Sequence, residues 1–513
     1  MEQATIVLRD GVIVSVTEQG PVPAGAREWN LAGCTVYAGF IDAYSEETID
    51  HGVVQGGAPH SNPLILSQLD LAKHLRPSPG QNQKLRSQGI TMRLAVPAGG
   101  IMKGQSCLVT TADDTGAETL FRSRAAQHMQ LTVPRTPRRD GYPNSPMGAL
   151  TLARQILIDA QWHHAAWKSY RANENLPRPE QNDALEALSD SLQSQQLFVI
   201  DAGNDLYFLR ADRIAKEFGL PAIVRGSGRE YRRVDQIAAT GRSVIVPLNF
   251  PKPPFVGTVE SAKHASLEEL LHWDIAPENP SRLDKAGVRI ALTTHGLKEP
   301  QEFLPAIRKA VARGLSPQSA LRALTIHPAT MFGVADRCGS IEPGKIANLV
   351  ITDGDLFSQK TKILATWIHG QRHEVEKPAP FDARGTWELT WKDKPDQALL
   401  WLTLQGEKPG DLRGELSTTK PGAPDQASPK SETGASSEAP AAKEPPAGKK
   451  TGLDQILQRD MRLTGLFDAT VIGKTGRARL VLVAPSSESN QDAWDAEWVD
   501  AEEQRHRLVA KRF

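Results

Sequence analysis

The feature that most constrains this chain is a repetition. From about residue 38 to 336, apolar strand-like runs alternate with helical stretches. The strand candidates include "GITMRLAVPA", "QLFVIDAG", "LPAIVRGSG", "RSVIVPLNF" and "GVRIALTTHG". Between them lie segments such as "DLYFLRADRIAKEFG" and "EPQEFLPAIRKAVARG", each closing on a Gly at the C-cap position, where a left-handed residue ends a helix. Units of β then α, repeated over roughly 300 residues, predict a parallel sheet covered by helices, and the length fits a closed (β/α)8 barrel. Barrels of this kind place their chemistry at the C-terminal ends of the strands. The stretch "CTVYAGFIDAYSEETIDHG", Cys34 to Gly52, is one such strand running into a cluster of polar side chains.

The flanks differ. Residues 1–37 read as short strands, and "ATIVLRDGVIVSV" carries an Asp-Gly turn between two β-rich runs, a hairpin signal. From residue 381, "GTWELTWKDKPDQALLWLTLQGEKPGDLRGELSTT" and "RLTGLFDATVIGKTGRARLVLVAP" alternate like antiparallel strands. Between them, residues 418–452 have no aromatic residue and almost nothing apolar to bury, the composition of a disordered linker or long loop. Residues 381–513 therefore read as a C-terminal all-β domain interrupted at about 418–452.

Composition narrows the function classes. Sixty basic residues balance 60 acidic ones in the 513, so no global field favours nucleic acid or an anionic membrane. Three scattered cysteines, Cys34, Cys107 and Cys338, make neither a disulfide framework nor a CxxC metal site. No apolar run approaches the ~18 residues of a membrane span, and "MEQATIVLRDGVIVSVTEQG" lacks the apolar core of an export signal. As written, the chain is expected to be cytoplasmic, with no nucleic-acid or membrane partner.

"VYAGFIDAY", the α/β middle and "SPQSALRALTIHPATMFGVADRCGSIEPGKIANLVITDGDLF" together resemble the amidohydrolase superfamily, closest to imidazolonepropionase-like and related cyclic-amidohydrolase members. The resemblance spans roughly residues 1–375. It implies a TIM-type barrel over 38–336 and a small composite β-sandwich built from 1–37 and 337–380. The family's sandwich usually begins with one further strand, so a truncated N-terminus would move the localisation to exported or periplasmic. The implied activity is hydrolysis of non-peptide carbon–nitrogen bonds. One or two divalent metals there lower the pKa of a bound water and polarise the scissile carbonyl. The family's ligands are a His-x-His pair after "GFID", a His after each of two middle strands and an Asp after the last, often with a bridging carboxylated Lys.

This sequence departs at each of those positions. Tyr44, Ser45 and Glu46 stand where the His pair would be, Asp201 ends "LFVIDAG", Gly226 and Ser227 end the next strand, and Thr294 and His295 replace the Asp. Lys103 in "AGGIMKGQS" is the nearest lysine, and the surrounding turn residues read it as a loop residue. Zinc prefers His and Cys, so one expectation is a weak hydrolase or pseudoenzyme without a resident cofactor, its Tyr44, Glu46, Asp201 and His295 left over at the barrel mouth. Such a protein would take a small-molecule ligand in the old cleft or pair with an intact amidohydrolase paralogue. A second reading gathers Glu46, Asp201 and His295 into a rearranged site for a single Zn, Fe or Mn ion. A metal-free variant uses Asp201 and His295 as a catalytic acid/base pair. A third reading makes the C-terminal β domain the binding module and the barrel its platform.

Other motifs carry less. His163 and His164 are adjacent on a helix and point ~100° apart, so they cannot chelate together and read as surface or capping residues. His327 precedes a Pro and reads as packing at a helix end. "GSGRE", Gly226 to Glu230, lacks the spacing of a phosphate loop. "VPAGGIMKGQS" reads equally as a substrate-covering loop or a plain β–turn–β element. Trp387, Trp401, Trp494 and Trp498 read as core of the C-terminal domain rather than as a binding face.

Overall fold

The structure is a computed structural model that describes residues 3–18, 20–49, 57–76, 78–113, 119–133, 141–375, 382–392, 394–406, 412–420, 449–459, 462–472, 474–484, 493–502 and 504–512. The chain divides into two compact units, Met1–Glu376 and Lys377–Phe513.

In the first unit, β1 (Ala4–Arg9) and β2 (Val12–Glu18) form the expected hairpin, turning on Asp10 and Gly11, both at positive φ. β3 (Thr35–Ala38) leads into β4 (Phe40–Glu47), which pairs in parallel with β5 (Ile90–Pro97). Short antiparallel strands follow: β6 (Met102–Gln105), β7 (Cys107–Thr110) and β8 (Leu120–Arg122). β9 (Gln127–Gln130), β10 (Phe198–Asp201), β11 (Ala222–Arg225), β12 (Val244–Pro247) and β13 (Ile290–Thr293) then run parallel as the second arc of the barrel, with β6 antiparallel on its β9 edge. The arcs meet where Thr293 Oγ1 donates to the Tyr44 carbonyl at 2.6 Å. β14 (Leu349–Thr352), β15 (Ile363–Ile368) and β16 (Gln371–Glu374) complete a four-stranded sheet whose other edge is β3. The fold is a TIM-type barrel with a small β-sandwich.

Parallel strands covered on both faces must be apolar on both, and here the two faces feed two different cores. Phe198, Ile200, Val224, Val244, Val246 and Leu292 pack outward with the helices. Val199, Ile223, Ile245 and Ala291 pack inward with Ile41, Met92 and Leu94. Side chains alternate along a strand, so the residue two beyond each inward apolar one also faces the lumen. That rule sends Asp201, Arg225 and Thr293 inward at the C-terminal end. The helices end as the sequence predicts: Asp205–Glu217 stops before Gly219 and Phe303–Ala312 before Gly314, both glycines at positive φ.

The second unit is a closed, up-and-down antiparallel barrel. Its strands are β17 (Gly385–Trp391), β18 (Lys394–Gln405), β19 (Arg413–Ser417), β20 (Lys450–Arg459), β21 (Arg462–Asp468), β22 (Arg477–Val483), β23 (Ala493–Val499) and β24 (Arg505–Arg512). β24 pairs back on β17, which removes every open sheet edge. Trp387, Trp494 and Trp498 lie in its core, with Trp387 and Trp494 centroids 4.2 Å apart, and Trp401 is buried too. Of the expected linker at 418–452, residues 450–452 belong to β20 and residues 421–448 lie outside the described ones.

A lysine-centred candidate site at the barrel mouth

Two β-bulges build the site. Opposite β5, Asp42 pairs with Arg93 and Ser45 with Ala95, so Ala43 and Tyr44 share the space of one residue. A bulge adds local twist and re-aims a side chain, and here it coincides with Tyr44 turned into the lumen, with no exposed surface. Glu46, two residues on, lies on the same face and reaches the rim. In β6, Met102 pairs with Met129 and Gly104 with His128, so Lys103 is the extra residue of a second bulge. Gly104 lies at φ +106°, and a Cβ there would stand 2.6 Å from the Leu69 carbonyl oxygen, so the bulge needs glycine next to the lysine.

Lys103 is not a loop residue, as its neighbours predict. It sits on a strand and is 0% exposed. Its ammonium donates to Tyr44 Oη at 2.7 Å, to Glu46 Oε1 at 2.6 Å and to Asp201 Oδ2 at 3.1 Å. An ammonium has three donors and no acceptor, so these contacts use all of its capacity. The Tyr44 hydroxyl donates to Asp201 Oδ2 at 2.7 Å, and Arg225 Nε donates to Asp201 Oδ1 at 2.9 Å. Asp201 therefore has both oxygens engaged. Asp42, fully buried, accepts from the Tyr44 and Thr294 amides at 3.2 Å and from the Thr294 hydroxyl, tying the end of β4 to the loop after β13.

Burial and charge set the protonation states. Burial pushes the Tyr44 phenol far up, and the Asp201 charge adds to this, so Tyr44 stays a donor. Burial alone would raise Asp201, but the Arg225 guanidinium and Lys103 ammonium outweigh it and hold the carboxyl far below the usual range. Glu46 is likewise lowered, burial being outweighed by Lys103. Burial, then Arg225, pushes His295 down. His128 lies edge-on to Tyr44 with centroids 5.8 Å apart, and burial drops its pKa to about 3. The charged residues cancel: Lys103 and Arg225 against Glu46 and Asp201.

The structure thus brings Tyr44, Glu46, Asp201 and His295 to one place, with His295 Nδ1 3.9 Å from Glu46 Oε2 and its ring against Tyr44. Tyr44 and Asp201 lie in the interior, 0% and 2% exposed, rather than at an open mouth. They are buried members of a network that includes Lys103, which the surrounding turn residues read as a loop lysine, and Arg225, which lies outside the family's ligand pattern. Arg225 was legible, because alternation gives it the same face as Ile223. Gly226 and Ser227, the nominal strand end, serve a local turn instead, in which the Ser227 and Gly228 amides donate to the buried Glu230 carboxylate at 2.6 and 3.1 Å. His163 is buried rather than a surface residue and accepts from Trp167 Nε1 at 2.9 Å. His327 Nδ1 donates to the Ile290 carbonyl at 2.9 Å, a hydrogen bond that holds the helix end against β13.

The donor set does not fit a divalent ion. The point where Tyr44, Glu46 and Asp201 converge is filled by a cation that offers no lone pair. No group of three or more His, Cys, Asp or Glu among the described residues could hold a metal. Carboxylation of Lys103 would set a third negative charge against Glu46 and Asp201.

Comparison with known proteins agrees with this fold. Residues 278–374 match the amidohydrolase family. A 57-residue segment is 38% identical to an adenine deaminase of Rubrobacter xylanophilus, covering 11% of this chain and 9% of that protein. A 58-residue segment is 40% identical to an N-acetylgalactosamine-6-phosphate deacetylase of Escherichia coli O157:H7, covering 11% and 14%. The chain thus spans only a small part of these relatives' length. A solved amidohydrolase from Thermotoga maritima MSB8 superposes with a TM-score of 0.59 at 22% identity, over 72% of this chain and 94% of the other. Residues 278–374 thus match the amidohydrolase family in sequence, and the first unit shares the fold of the solved Thermotoga maritima protein. No helix among the described residues is long and apolar enough to cross a membrane.

Proposed function

We propose that the first unit is an amidohydrolase-fold protein that does not hydrolyse through a metal, and that its barrel mouth binds a small polar molecule. The observation that carries this reading is the Lys103 ammonium, hydrogen-bonded to Tyr44, Glu46 and Asp201 at the strand ends. A metal-activated water needs lone pairs pointing at one vacant centre. Here those lone pairs point at an internal cation. What faces solvent is the outer side of the network, Glu46 Oε2, His295 and the edge of Arg225, with side-chain exposures of 33%, 24% and 17%. An acid, an imidazole and a guanidinium around one opening suit a ligand carrying both donors and acceptors.

A second reading, a working hydrolase of a cyclic amide, draws on the Glu46–His295 approach of 3.9 Å. These two groups keep free lone pairs and could pass a proton.

The two readings separate in one assay. Purified full-length protein is incubated with cyclic amides, imides and N-acyl amines, with and without added Zn²⁺, Mn²⁺ or Fe²⁺. The expected result is no hydrolysis above buffer under any metal. Turnover, with or without metal, that disappears in Glu46→Ala or His295→Ala would establish the hydrolase instead. In parallel, a small-molecule thermal-shift screen is expected to give stabilising hits that His295→Ala abolishes.

A further inference from the structure

Four formal charges meet below the barrel mouth, and they balance only because Lys103 is among them. Without it, Asp201 and Glu46 would face Arg225 alone, leaving one of the two carboxylates, one buried and one half-buried, uncompensated. Buried carboxylates without a cation are strongly unfavourable. By the sequence resemblance, Tyr44 and Glu46 stand where a metal-binding His pair would be, and Asp201 ends a strand where a ligand would be. The geometry points to Lys103 as a tethered replacement for a divalent cation: the barrel keeps a cation at this point, but supplies it from its own chain. This rests on the non-metal reading above and adds to it a statement about what the remaining oxygens would bind.

Three independent features support it. The ammonium is fully enclosed, which makes it an interior charge rather than a rim residue. It donates to three oxygens at 2.6 to 3.1 Å, so one positive charge is shared among all of the acceptors that converge there. And it is delivered by a dedicated backbone device, the bulge at Met102–Gly104 with its obligatory glycine. A lysine present only for packing needs neither the bulge nor three anionic or phenolic acceptors. The consequence is specific. Removing the ammonium while keeping the side-chain volume should convert an internal ion network into a site for an external cation, held by Glu46 and Asp201 oxygens and assisted by Tyr44.

The test uses the full chain, wild type and Lys103→Met, each dialysed against Mn²⁺ or Zn²⁺ and then against metal-free buffer. Metal content is read by elemental mass spectrometry and unfolding by urea titration. Wild type is expected to keep no stoichiometric metal and to unfold identically with and without it. Lys103→Met is expected to unfold earlier without metal. With it, the variant should hold about one ion per chain and regain at least about tenfold in its folded-to-unfolded ratio. Lys103→Met/Glu46→Gln restores neutrality without a cation and is expected to ignore metal. A Lys103→Met protein indifferent to both metals overturns the inference, as does a double variant that still binds one. If Lys103→Met is recovered only as aggregate, its soluble yield is compared in cultures and lysates with and without Mn²⁺: a higher yield with metal supports the inference and an equal yield overturns it. These readouts concern the variant, whereas the proposed function fails on wild-type turnover, so the two can fail separately.

Discussion

Each unit holds an aspartate clasped by a lysine, and the two pairs behave differently because of where the lysine ends. Asp201 and Asp500 are both buried, with side chains 2% and 5% exposed. Lys474 reaches Asp500 Oδ2 at 2.8 Å, but its side chain is 40% exposed and its ammonium lies 4.9 Å from the Trp498 ring. The other Asp500 oxygen accepts the Gln504 and Glu502 amides, at 2.8 and 3.2 Å, so this carboxylate holds the turn between β23 and β24. Lys103 is wholly enclosed, and all of its donors go to protein. A half-solvated pair contributes little and can lose a partner to water. An enclosed pair has no such alternative, so its acceptors must all be present. The same two residue types make a turn clasp in one unit and the centre of a site in the other.

The sharpest way to break this contrast is Asp201→Ala. It leaves Lys103 and Arg225 without their shared counter-charge, and a loss of about 3–5 kcal/mol is expected in the urea unfolding of the first unit. A fluorescence or circular-dichroism titration reads it directly, and a loss below about 1 kcal/mol would mean that water already reaches the ammonium. Next in size is Gly104→Ala, which forces a Cβ against the Leu69 carbonyl at a left-handed φ. About 1–3 kcal/mol should be lost, with Lys103 displaced, and a crystal structure of the variant would show whether the bulge survives.

Acid provides the third comparison. Neither ring nitrogen of His128 has a hydrogen-bond partner, and its folded pKa near 3 lies below the ordinary value of 6.5. Between those values the unfolded chain binds a proton that the folded one refuses, so stability falls as pH drops through that window. The slope is at most about 1.4 kcal/mol per pH unit from this one group. His128→Leu should flatten the urea midpoint between about pH 6 and pH 5, the upper part of that window, whereas Asp201 and Glu46, both lowered, withdraw their contribution as pH falls below their ordinary values of 3.8 and 4.5. The smallest effect is expected for Asp500→Asn. The hairpin turn keeps its amide acceptor, so the change should appear only as faster hydrogen exchange at Glu502 and Gln504, with the first unit untouched.

Much of the architecture was legible in the sequence because it depends on periodicity. The alternation of strands and helices, the Asp-Gly hairpin and the helix-ending glycines each have a local physical cause and fall where that cause puts them. Asp201 and His295 were legible as strand-end residues, and Arg225 follows from the same alternation once the register of "AIVR" is fixed. Lys103 was not. A bulge depends on how two distant strands align, and the sequence of one of them does not encode it. The cluster of Gly99, Gly100 and Gly104 around Lys103 was the available signal, but it reads equally as a turn. His128 was hidden for a simpler reason: "QHMQ" is too short and too polar to announce a barrel strand.

The pairing of β19 with β20 bears on how the second unit can change over time. Ser417 faces Lys450 across that ladder, so the residues between them leave and rejoin the barrel at neighbouring positions. The entropy of closing a chain between two neighbouring fixed ends grows only as the logarithm of its length, about 0.6 kcal/mol for each doubling. Halving or doubling the Pro-, Ala- and Ser-rich segment at 421–448 should therefore shift the barrel's stability by less than a single lost core methylene does. By that arithmetic the β19–β20 junction is where a reporter or a second domain is expected to be accepted with the barrel still folded, which an unchanged urea midpoint of the insertion variant would check.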